Sequence, residues 1–95
     1  MEKRIKNQSG DLLIRKSLFC GIVEIVHLWD KPNNSGCLLG YWEKRICDGD
    51  EVAEFRSVNS RIVNTEYDSA DILLQALMWG QQLADLIICS SPPST

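Results

Sequence analysis

Between Tyr67 and Ile88 the run YDSADILLQALMWGQQLADLII carries signals for a helix start, a helix body and a helix end, so the rest of the chain has to supply a surface for it. Asp68 is placed to accept the free N–H groups of a first turn, Asp71 stands at the capping-box position, and Tyr67 can staple over Ile72. These signals predict a helix from residue 69 to about 87. At 100° per residue, Ile72, Leu73, Ala76, Leu77, Gly80, Leu83, Ala84 and Ile87 share one broad face, with Trp79 and Leu86 on its border. Asp71, Gln75, Gln81, Gln82 and Asp85 occupy the other face. Leu74 and Met78 sit among them, one turn apart, with no evident burial site.

The chain before this helix reads as strands. Asp11–Lys16 (DLLIRK) is a short first strand, and Leu18–Trp29 (LFCGIVEIVHLW), apolar on both parities, is a long central one. Asp30–Gly36 (DKPNNSG) concentrates turn formers and is a connecting loop. Cys37–Cys47 is a further strand, ended by Asp48-Gly49, the pair a two-residue hairpin turn prefers because both positions need positive φ. Folding about that turn sets Trp42 opposite Phe55 and Lys44 opposite Ala53 on the face toward the helix, and Tyr41 opposite Arg56 on the other. It also opposes Glu43 to Glu54, with Arg45 and Arg56 on the diagonals to compensate. Arg61–Glu66, after a turn at Asn59-Ser60, is a last strand leading to the cap. Strands first and one long helix last predict an α+β domain: an antiparallel sheet of four to five strands with one long C-terminal helix packed on one face. Ninety-five residues make a single domain, 1–95, with residues 1–10 and 89–95 as mobile ends.

A formal charge of -3 argues against nucleic acid as a partner, because phosphate binding needs a concentrated basic surface. The local excess at Lys3, Arg4, Lys6, Arg15 and Lys16 fits a solvated tail. The expectation is a cytoplasmic protein with no membrane contact, since no apolar run approaches the length of a span and the first residues lack a signal-peptide core. The four cysteines match neither a zinc pattern nor a redox pair, and Cys20 and Cys37 read as small buried hydrophobes.

Candidate chemistry is sparse. His27 and Glu24, three residues apart on one strand, point to opposite faces and cannot share a proton. Glu24 itself fits best on an uncovered, solvated sheet face. No metal-ligand spacing, phosphate loop or nucleophile elbow is present, so the sequence predicts no catalytic residue, no metal, no cofactor and no enzyme. Gly80 is more informative, because a mid-helix glycine costs about 1 kcal/mol relative to alanine and stands at the centre of the buried face. Something must come close to it, most simply a large sheet residue such as Trp42. A ligand pocket beside it, lined by Trp29, Trp42, Phe55 and Trp79, is the alternative.

The start of the helix, Y-D-S-A-D-I-L-L-Q-A-L after a strand and an Asp-Gly hairpin, resembles the ending of small stand-alone bacterial proteins of unknown function, in which a strand meander leads into a D-S-x-x-x-L-x-x-A-L helix. The resemblance covers the last third of the chain. The chain is also similar in style to accessory proteins carried on mobile bacterial gene cassettes. Neither resemblance implies catalytic residues.

Apolar residues in excess of one core give the functional expectation. Ile22, Val26, Leu28, Leu39 and Tyr41 fall on the sheet face away from the helix, and Leu74 and Met78 on the outside of the helix. Such a surface predicts a non-enzymatic protein acting by association, as a homodimer through the sheet face or, alternatively, through Leu74 and Met78. A small-molecule binder using the aromatic pocket, and an inhibitor or immunity-type protein for a basic partner, are the other two readings.

Overall fold

Asp48 and Gly49 both adopt positive φ, 52° and 84°, and close the hairpin that sets the register of the sheet. The computed structural model describes residues 2–7, 10–19, 21–30, 35–58 and 70–89. Five strands, β1 (Glu2–Ile5), β2 (Asp11–Lys16), β3 (Val23–Asp30), β4 (Ser35–Cys47) and β5 (Asp50–Ser57), pair antiparallel in chain order. Helix α1 (Ala70–Cys89) lies across one face, giving the expected α+β arrangement. Trp42 pairs with Phe55, Lys44 with Ala53, Tyr41 with Arg56 and Glu43 with Glu54, as the turn requires. The two opposed glutamates are each held by a diagonal arginine: Arg45 donates to Glu54 at 3.1 Å and Arg56 to Glu43 at 2.7 Å. The hydrogen bond and charge of Glu43, with the charge of Glu54 behind them, raise the Arg56 guanidinium above its ordinary value.

Three sequence expectations are corrected. Residues 2–5, expected in a mobile end, form β1 and pair with β2, because Ile5 packs against the helix-side core and Lys3 lies over the Trp79 ring. The strand expected from Leu18 begins at Val23. Before it the chain turns through Gly21, whose φ of 66° an extended strand does not admit. Leu39, expected on the sheet face away from the helix together with Tyr41, is buried on the helix side. Ile25 pairs with Gly40 and Val26 with Leu38, so Leu39 is the extra residue of a β-bulge that breaks the alternation. The predicted strand Arg61–Glu66, the cap Asp68 and the staple Tyr67 lie outside the described residues, as do Cys20 and residues 90–95.

The core between sheet and helix gathers Leu12, Ile14, Val23, Ile25, Leu39, Trp42, Ala76 and Ala84, all almost fully withdrawn from water. Trp42 is its centre. Its ring stacks at a tilt on Phe55, with centroids 4.7 Å apart, and its far edge lies against the backbone of Gly80. Its Nε1–H donates to Gln81 Oε1 at 3.0 Å, while Gln81 Nε2 donates to the Ala53 carbonyl at 3.3 Å and to Asp85 Oδ1 at 3.0 Å. One glutamine thus ties α1 to both strands of the hairpin.

A β-carbon at position 80 would collide with three carbons of the Trp42 ring. Alanine improves helix propensity by about 1 kcal/mol, whereas overpacking a filled core costs about 1–3 kcal/mol or more. Gly80→Ala is therefore expected to lower the unfolding free energy in a urea titration, the reverse of the usual mid-helix result.

Candidate interaction surface

The sheet face away from α1 carries Glu2, Arg4, Asp11, Leu13, Arg15, Glu24, Val26, Leu28, Leu38 and Tyr41, as the register and strand alternation require. Its apolar residues are not left to solvent. Leu13, Val26 and Leu28 form a second cluster joined by Leu38, and Val26 and Leu28 keep only 9% and 5% of their exposure. Ile22, also expected on this face, packs on the helix-side core, because its N–H is drawn to the Trp42 carbonyl at 2.8 Å before the strand begins. Of the five sheet-face candidates, Tyr41 alone remains on that face with substantial exposure, and it is half-buried.

Glu24, expected to be solvated, is instead buried and takes a 2.9 Å hydrogen bond from Arg15 Nε. A second buried carboxylate, Asp11, has Arg4 Nε at 3.8 Å and accepts the Asn7 N–H at 3.2 Å. Arg4 and Arg15 border a depression of about 390 Å3 whose floor is Leu13, Val26 and Leu28. His27 is buried on the opposite face from Glu24, across from Leu12, as the alternation argument requires. Among the described residues no three His, Cys, Asp or Glu side chains come together as a metal site.

The aromatic pocket expected around Gly80 is filled by its own lining. Trp42 occupies the notch, Phe55 stacks on Trp42, and the side chain of Trp29 lies outside the described residues. Trp79 turns away to the border of the helix, where it meets a different space. A cleft of about 240 Å3 runs between β1 and α1, with Ile14 as its floor, Trp79, Leu83 and Leu86 as its helix wall, and Glu2, Lys3 and Gln82 at its rim. The Lys3 ammonium sits 4.7 Å from the centroid of the Trp79 ring.

Among the described residues, besides Ile46, Val52 and Val58 of the β4–β5 hairpin and its end, exposed large apolar side chains lie in two other places. On α1, Leu74, Met78, Trp79 and Leu86 are each between 44% and 56% exposed, so the helix is apolar outside as well as inside. The 18 residues from Ile72 to Cys89 have a mean hydropathy of 1.4, long and apolar enough by composition to cross a membrane, contrary to the sequence expectation. This segment nevertheless carries the sheet-facing Ala76, Gly80 and Ala84. The second place is the β2–β3 turn, where Leu18 and Phe19 are 75% and 88% exposed. Sequence reasoning missed this pair by running the central strand through it. The signal was present in the flanking Ser17 and Gly21, which are turn residues.

Comparison with family models, with curated proteins and with solved structures finds no match to this chain.

The Arg15–Glu24 pair gives a stability test of the sheet face. Removing one partner of a largely buried pair leaves a desolvated charge, so Arg15→Met is expected to cost about 1–3 kcal/mol in thermal or urea unfolding. Adding Glu24→Leu should recover most of the loss, because the uncompensated carboxylate is then gone.

Proposed function

We propose that this protein is non-enzymatic and works by association, as a homodimer whose contact is the outer face of α1. The observation that carries the reading is the half-exposed apolar row on that helix, since the apolar residues of the sheet face are already covered within the chain. Leu74, Met78, Gln82 and Leu86 follow one another at four-residue spacing, the ridge that helices pack into one another's grooves. The ridge carries a leucine at each end. A two-fold axis at its midpoint sets Leu74 against Leu86 and Met78 against Gln82 of the second copy, with the Gln75 amide facing the Asp85 carboxylate. No like charges oppose in these pairs, and the two helix dipoles run antiparallel. Among the described side chains, the small-molecule reading keeps only Trp79 of its expected lining.

Sedimentation equilibrium at micromolar concentration is the test. A dimer that Met78→Glu dissociates and Tyr41→Ala leaves intact supports the helix contact. Dissociation by Tyr41→Ala alone would return the contact to the sheet. A monomeric wild type would sink the homodimer; if that monomer co-sediments with lipid vesicles, the helix face belongs to a bilayer surface instead.

A further inference from the structure

Leu18 and Phe19 stand on a built turn. The Ser17 N–H donates to the Ile22 carbonyl at 3.2 Å, the Phe19 N–H to Ser17 Oγ at 3.3 Å, and the Ile22 N–H to the Trp42 carbonyl at 2.8 Å. Gly21, at φ 66°, passes so near the Trp42 carbonyl and the Tyr41 ring that no side chain fits there. The turn is thus pinned to β4, and two adjacent large apolar side chains are presented from it to water. Scattered surface leucines need no explanation, but a pinned pair of this kind is the form an anchor takes.

The cleft between β1 and α1 has the complementary form: about 240 Å3, floored by Ile14 and walled by Trp79, Leu83 and Leu86. That volume holds a phenyl ring with room to spare. Ile14 lies on β2, the strand that leads directly into the turn, so anchor and cleft belong to the same end of one strand.

We infer that Phe19 of one chain enters the β1–α1 cleft of a second copy, and that the second copy returns the contact. This deepens the homodimer reading and rests on it. Interface area favours a second copy as the occupant. The half-exposed side chains of Leu74, Met78, Trp79 and Leu86 supply apolar area toward the roughly 800 Å2 per partner of a stable complex. Leu18 and Phe19, more exposed than any of those four, enlarge that apolar area further. Trp79 and Leu86 belong both to the helix face and to the cleft wall, so both contacts fall within one surface. Symmetry supplies the other constraint. An anchor and a separate cleft generate an open polymer unless a two-fold axis makes the exchange reciprocal, and their closeness on one strand is what reciprocity needs.

The test uses two variants and their mixture in sedimentation equilibrium, with far-UV circular dichroism to show that each is folded. Phe19→Ala removes the anchor, and Lys3→Trp fills the cleft from its β1 rim, off the helix ridge. Each should raise the dimer Kd by about a thousandfold, because a symmetric dimer loses two anchors worth about thirtyfold each. An equimolar mixture restores one anchor in one open cleft, and its heterodimer should be about thirtyfold tighter than either variant alone. A Kd unchanged by Phe19→Ala, or a mixture no tighter than its components, overturns the exchange. If Met78→Glu still dissociates the dimer in that case, the helix contact stands without it. A monomeric wild type removes both.

Discussion

The helix stays on the sheet because Trp42 has Gly80 to lie against. A tryptophan projecting from the first strand of the hairpin is too long to fit under an ordinary helix side chain, and α1 offers a bare stretch of backbone where the ring arrives. The ring is apolar, but its N–H is not, and burying it without a partner would cost free energy. Gln81, the next residue along the helix, accepts that hydrogen and uses its amide group to reach the Ala53 carbonyl. Helix position and helix rotation are therefore fixed by one cluster. The glycine costs the helix some intrinsic stability, offset by filling the core.

Fixing the rotation of α1 decides what the protein shows to its surroundings. With Ala76, Gly80 and Ala84 turned inward, Leu74, Met78 and Leu86 have nowhere to go but outward. The sheet's other face is closed by its own means: Leu13, Val26 and Leu28 cluster at the centre, and Arg15–Glu24 and Arg4–Asp11 lie around them. Farther out, the Arg45–Glu54 and Arg56–Glu43 pairs offset the charge of the opposed glutamates. Among the described residues the helix exterior and the β2–β3 turn therefore carry large exposed apolar side chains, which is where the proposed association is placed.

Local chemistry made much of this legible in the sequence. The Asp48-Gly49 turn dictates its hairpin because few residue pairs tolerate two positive φ angles, and every cross-strand pair from Tyr41–Arg56 to Lys44–Ala53 follows from it by counting. Helical periodicity identified the inward apolar face of α1 and the outward position of Leu74 and Met78, since an α-helix turns by a fixed angle whatever it packs on, but it put Gln81 on the outer face, whereas the side chain reaches Trp42 and Ala53. What the tertiary structure alone decided are the places where periodicity is interrupted. The bulge at Leu39 reverses one residue without leaving a mark in composition, the turn at Gly21 detaches Leu18 and Phe19 from a run that alternation would make strand, and β1 forms because Ile5 and Lys3 find α1, far away in sequence, to pack on. Glu24 belongs to the same class: a carboxylate between two valine-like neighbours is tolerated in the interior only because the antiparallel register brings Arg15 opposite it. Each of these depends on a partner from another element, and a pattern read along one strand or helix contains no information about that partner.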